Sequence, residues 1–95
     1  MQDIQQNAKK ASELLKAISH ESRLIILCML SQKEMSVGEL QQYSELSQSA
    51  FSQHLKVLRD KEIVKTRKEA QTIYYSIKNE NVLKILQSLY EIYCK

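Results

Sequence analysis

The chain has 95 residues, of which 43% are hydrophobic and 26% charged, with a formal net charge of +3. These totals fit one globular domain and leave no room for a second core. A core this small gains from a partner subunit, and the longest apolar run, the seven residues Leu24–Leu30, is too short to cross a membrane.

The absence of proline and the single glycine, Gly38, point to a mainly helical chain with few special turns. The opening MQDIQQNAKK holds no apolar signal core, so the expected compartment is the cytoplasm, where Cys28 and Cys94 stay reduced. Ile4, Ala8, Ala11, Leu15 and Ile18 recur at helical spacing, which predicts an amphipathic helix over about residues 3–18. Ser19 or His20 can cap the next helix, with Glu21 favourable in its first turn and an apolar face running through Leu24, Leu27 and Cys28 to Leu30. Ser31–Glu34 is a polar break. Ser36-Val-Gly-Glu39 has the S-x-x-E form of a capping box and opens a short helix to about Gln42. Tyr43–Leu46 reads as a turn, and Ser47 caps a longer helix to about Lys61.

The periodicity then changes. Ile63–Arg67 and Thr72–Ile77 are rich in β-branched and aromatic residues and read as strands. Lys68-Glu-Ala-Gln71 between them lacks Gly, Asn and Asp, which predicts a longer, mobile tip rather than a tight two-residue turn. Asn79 caps a final helix to about residue 94, with Val82, Ile85, Leu86, Leu89 and Tyr93 on one face. The fold class is therefore mainly α with a β-hairpin wing. It is a winged helix-turn-helix in the order α-α-α-α-β-β-α, with the helix-turn-helix over about 36–61 and the wing over about 63–77.

Charge is unevenly placed. Residues 1–46 carry a net charge of −1, residues 47–78 a net charge of +4, and residues 79–95 balance. A local basic excess is the footprint of a polyanion binder, although a solvated face gives the same count. The helix after Ser47 carries the sharper signal; an ordinary surface helix is the competing account, and the adjoining wing counts against it. Phe51, Leu55 and Leu58 form its inward stripe, while Ser49, Ser52, Gln53 and Lys56 face outward and Gln48 sits at the N-terminal end. Gln pairs two-point with adenine, Ser bonds bases or phosphates, and Lys meets phosphate or guanine. Short side chains let the backbone sink into a groove, and no acid lies on this face before Asp60. In the wing, Lys65, Arg67, Lys68 and Gln71 surround the tip and can reach phosphates or the minor groove; ordinary solubilising charge is the competing account. His54 borders the apolar stripe and reads as a packed histidine rather than a ligand or catalyst.

Four segments together resemble the ArsR/SmtB winged-helix transcriptional regulators over nearly the whole chain. They are LKAISHESRL (15–24), SVGEL (36–40), LSQSAFSQHLKVLR (46–59) and KTRKEAQTIYY (65–75). The resemblance implies DNA contacts at Gln48, Ser49, Ser52 and Gln53, a homodimer formed by the first and last helices, and a pseudo-palindromic double-stranded operator. Many such regulators sense metals, but the short helix here has no cysteine and the last helix no histidine or aspartate. The chain calls for no metal and no cofactor. On spacing alone, Cys28 reads as a core filler and Cys94 as incidental. The resemblance is nearest to the metal-independent dithiol branch, the hemolysin-regulator (HlyU-like) and sulfide-responsive biofilm repressors. It implies that Cys28 and Cys94 are redox-sensing thiols, bridged by a reactive sulfur or oxidant inducer through a disulfide or a polysulfide.

No Ser-His-Asp, Cys-His or paired-carboxylate constellation and no phosphate-cradling glycine loop can be assembled, so an enzyme is not expected. Two readings compete with the thiol-switched regulator. One is the same fold controlled by a metal or another ligand. The other is a helical protein-interaction module.

Overall fold

A computed structural model describes residues 2–94 of the chain. Among these residues the elements run α1 (Gln2–Ile18), α2 (Glu21–Leu30), β1 (Met35–Ser36), α3 (Val37–Gln41), α4 (Gln48–Asp60), β2 (Val64–Glu69), β3 (Thr72–Ile77) and α5 (Glu80–Tyr93). Side chains at the starts satisfy otherwise orphaned backbone donors. His20 Nδ1 accepts the Ser22 N–H at 3.1 Å, which makes His20 rather than Ser19 the cap of α2. Ser36 Oγ accepts the Glu39 N–H at 3.1 Å while Glu39 Oε1 accepts the Ser36 N–H at 3.0 Å, closing the expected capping box on α3. Ser47 Oγ accepts the Ala50 N–H at 3.2 Å on α4, and Asn79 Oδ1 accepts the Asn81 N–H at 2.9 Å on α5. Such caps contribute about 1 kcal/mol each.

The end of α4 is a feature the sequence hides. The Glu62 N–H donates to the Arg59 carbonyl at 3.0 Å and the Ile63 N–H to the Leu58 carbonyl at 2.9 Å, the paired bonds of a Schellman motif. Glu62 occupies the left-handed position at φ 57°, where glycine is usual. Burial of Leu58 and Ile63 closes the apolar side of the motif, and the Lys78 Nζ–Glu62 Oε1 pair at 2.9 Å ties it to the end of β3.

The antiparallel sheet has the order β1-β3-β2. The wing strands pair from Val64↔Ile77 to Glu69↔Thr72, which leaves only Ala70 and Gln71 as the turn. This corrects the expected longer tip over Lys68–Gln71. Ladder pairing continues through Lys68↔Ile73, and Ala70 takes φ 57° to close the hairpin. A positive φ at the first central residue alone is the sign pattern of a II′ turn, which glycine normally serves. The strand β1, absent from the expected order, pairs Met35 with Tyr75 and Ser36 with Tyr74. Two residues are too few to show a period of two.

The core lies where α2, α4 and the sheet meet. Ile26, Leu27, Phe51, Leu55, Leu58 and Ile63 are buried in it, and Val82 and Leu86 of α5 close one side. Fully burying a side chain of the size of Leu58 contributes about 1.5–3 kcal/mol. The terminal helices differ from this pattern. On the predicted face of α1 only Ile18 is buried; Ile4 is 66% exposed, Leu15 49%, and Ala8 and Ala11 are open. On α5, Tyr93 is 78% exposed rather than packed, and Tyr90 is 54% exposed. The Cα radius of gyration is 14.2 Å, against roughly 12 Å for a compact chain of this length.

Ala70→Gly is expected to raise unfolding stability by about 1 kcal/mol, because it relieves the left-handed strain without removing a contact. Urea unfolding of the two proteins, at unchanged m-value, measures this.

Candidate nucleic-acid interface and thiol pair

The stripe Phe51, Leu55 and Leu58 anchors one side of α4 in the core and fixes what the other side presents. Gln48, Ser49, Ser52, Gln53 and Lys56 are all exposed. At 3.6 residues per turn they fall within about 140° of the helix circumference. The first turn holds no acidic residue, and the N-terminal N–H groups not used by Ser47 remain free to meet an anion. Lys56 lies 3.9 Å from Asp60 across one turn, an exposed pair too weak to immobilise it.

The wing residues separate. Cross-strand register puts Arg67 opposite Tyr74 and Lys65 opposite Ser76 on one face, whereas Lys68, opposite Ile73, lies on the other, and Gln71 is in the turn. Arg67 is not free. Its Nε–H donates to Glu34 Oε2 at 2.9 Å, Nη2 to Glu34 Oε1 at 2.8 Å, and Nη1 to Glu69 Oε2 at 2.8 Å. Its guanidinium also lies 4.4 Å from the Tyr74 ring centroid. The hydrogen bond from Arg67 holds the Glu34 carboxyl below the usual carboxylate range. Sequence reasoning missed Glu34, which sits in the polar break 33 positions from its partner.

Behind α4, a second cluster ties it to α1 and α2. The His54 ring lies 4.3 Å from the His20 ring, and His54 Nδ1 accepts from Arg23 Nε at 3.1 Å. Arg23 Nη1 in turn donates to the Ala17 carbonyl at 3.0 Å, at the end of α1. His54 is thus a packed, hydrogen-bonded residue, as its place beside the apolar stripe suggests. Partial burial, then the neighbouring His20 and Arg23, push its pKa below the usual imidazole value.

Cys28 and Cys94 are free thiols on exposed positions, Cys28 on the outer side of α2 and Cys94 at the C-cap of α5. Cys28 is therefore not the core filler that its apolar run suggested. It opens into a cleft with Ser31, Gln32, Leu83, Leu86, Gln87 and Tyr90. Partial burial in this cleft raises the Cys28 pKa, and Cys94 is near enough to raise it further. Among the described residues no three or more His, Cys, Asp or Glu side chains are grouped to hold a metal ion. No described helix is long and apolar enough to cross a membrane.

A helix-turn-helix whose second helix presents a polar face without acid before Asp60, flanked by a β-hairpin wing, defines a winged-helix DNA-binding transcriptional regulator. Residues 20–66 match the family described as bacterial regulatory protein, arsR family. The transcriptional activator HlyU of Vibrio cholerae is 50% identical over 95 residues, covering 100% of this chain and 88% of that protein. Solved structures share the fold. Reduced HlyU from Vibrio cholerae superposes with a TM-score of 0.94 at 49% identity and full coverage of both chains. The transcriptional repressor BigR from Xylella fastidiosa gives 0.90 at 37% identity, covering 99% of this chain and 96% of that one. The chain belongs to the ArsR family of transcriptional regulators.

Because His54 binds its proton less readily in the folded chain, its contribution to stability is present above the ordinary imidazole pKa of 6.5. That contribution is lost as pH falls below this value. Thermal melts from pH 7.5 to 5.5 should show a falling midpoint for the native chain and a flatter profile for His54→Gln.

Proposed function

We propose that this chain is a homodimeric regulator that reads a pseudo-palindromic operator with Gln48, Ser49, Ser52 and Gln53. Lys56 and the wing residues Lys65, Lys68 and Gln71 anchor it on the backbone. The observation that carries this reading is the open polar face of α4, which holds no acid before Asp60 in its last turn, beside a basic hairpin. The exposed apolar residues of α1 and α5 support the dimer, since Ile4, Leu15, Leu83 and Tyr90 remain 39–66% exposed in one chain. A two-fold dimer sets its recognition helices about 34 Å apart, one turn of B-DNA.

Cys28 and Cys94 form the switch in this proposal. Two observations support the pairing: Cys28 opens into a cleft against α5, and Cys94, at the end of α5, is near enough to raise the Cys28 pKa; a relative whose solved form is named as reduced HlyU is consistent with a redox-dependent state. A persulfide R–S–SH transfers its outer sulfur to Cys94, leaving R–SH and Cys94–S–SH. The Cys28 thiol then attacks the inner sulfur, which gives the Cys28–Cys94 disulfide and releases hydrogen sulfide. Attack by a second persulfide, on Cys28, gives a trisulfide and again releases hydrogen sulfide. A direct disulfide needs Cα atoms within about 7 Å, and an added sulfur spans a longer gap. Either bridge draws the end of α5 onto α2 and alters the dimer contact that sets the half-site spacing.

The probe is the duplex enriched by the native chain from a random 30-base-pair library. Gln53→Ala should weaken its binding by about 1–3 kcal/mol and relax the preference at one base position. Lys56→Ala should weaken all duplexes alike and reduce the log–log salt slope by about 1. A salt-independent affinity would instead favour a protein-interaction module. Persulfide treatment should lower affinity in the native chain and leave Cys28→Ser and Cys94→Ser unchanged, with intact mass reporting the bridge. Leu15→Glu should shift the chain from dimer to monomer in sedimentation.

A further inference from the structure

We propose that Glu34 and Arg67 form a strut that fixes the angle of the wing against the helix-turn-helix, and that Arg67 is a positioning residue rather than a DNA contact. This inference rests on the DNA-binding reading above and refines it.

Three observations meet at this point. Arg67 engages both oxygens of Glu34, with Nε at 3.0 and 2.9 Å and Nη2 at 2.8 Å. Its remaining terminal nitrogen, Nη1, is held by Glu69 at 2.8 Å. One face of the guanidinium is covered by Tyr74 at 4.4 Å. All three guanidinium nitrogens and one flat face, the groups that Arg would offer a phosphate or a guanine, are therefore already engaged within the protein, with one further N–H left on each terminal nitrogen.

The connections explain why this pairing acts as a strut. Glu69 shares a strand with Arg67, so that pair stays within the hairpin. Glu34 belongs to a different element. It immediately precedes β1, whose Ser36 both pairs with Tyr74 and caps α3, the first helix of the helix-turn-helix. The path Arg67–Glu34–β1–α3 links the middle of the wing to the start of the reading unit. Isolated surface ion pairs contribute little, but a two-point Arg–carboxylate contact joined to a second acid and an aromatic face is the networked exception.

The sign of one substitution separates the strut from a DNA contact. Glu34→Ala removes a negative charge near DNA and releases Arg67. If Arg67 read or anchored DNA, affinity would rise or hold. As a strut, its loss weakens binding to the library-selected duplex by about fivefold, with the salt slope unchanged because no phosphate contact is lost. Arg67→Ala should give the same loss and the same slope, and the double variant should be no worse than either single. Arg67→Lys keeps the charge but not the fork, so it should not rescue. A tighter Glu34→Ala complex, or a slope reduced by about 1 in Arg67→Ala with rescue by Lys, overturns the proposal.

A second measurement needs no DNA. Amide hydrogen exchange of the free protein should quicken across β2 and β3 in Glu34→Ala, and unchanged exchange there overturns the strut. If the native chain enriches no duplex, the DNA reading fails, and the exchange result still decides whether the strut exists.

Discussion

Everything in this fold turns on the burial of Phe51, Leu55 and Leu58 along one side of α4. That stripe locks the helix rotationally, since turning it by one residue would expose an aromatic ring and put Ser52, Lys56 and Arg59 in place of Phe51, Leu55 and Leu58. Once the stripe is fixed, the opposite side must face solvent, and its composition is free to serve another purpose. Serine and glutamine there are mediocre for helix stability. The fold can carry them because the core, the Ser47 cap and the Schellman end hold α4 from three directions. The surface that is poor for the isolated helix is the one suited to close approach by a nucleic acid.

The same logic explains the polar clusters around the helix. The His20–His54–Arg23 group joins α4 to the end of α1 and the start of α2, and the Arg67–Glu34 group joins the wing to β1. Neither is deeply buried, so each contributes less to global stability than the apolar core does. Their effect is on relative orientation. Reading a groove requires a helix and a wing held at a fixed angle, and hydrogen-bonded forks define angles better than apolar contacts do.

Most of the frame was legible because it is written in local chemistry. Capping boxes, helical stripes and the switch to β-branched residues are short-range signals, and Ser36, Ser47 and Asn79 mark helix starts where the sequence places them. What escaped has a common physical cause. Ala70 and Glu62 take left-handed backbone that their residue types do not advertise, so the tight hairpin and the helix end were not visible. The strand β1 is defined only by its partner on β3. Arg67 was legible as a basic wing residue, but its engagement depends on Glu34, 33 positions away, which no periodicity marks. The outward set on α4 was legible in full, since a buried stripe specifies its complement.

The terminal helices leave apolar side chains exposed that the core does not reach. The stripe Ile4, Ala8, Ala11, Leu15 on α1 is as regular as the one on α4, yet it lies open, and so do Leu83, Tyr90 and Ile92 on α5. Periodicity reports that a face is destined for burial and says nothing about which molecule covers it. Cys28 and Cys94 sit beside this uncovered region, on α2 and at the end of α5. A bond between them would therefore act on the surface that the proposed dimer covers. The core behind α4 would be left intact, so control could be exerted through the spacing of two reading heads without remodelling either one.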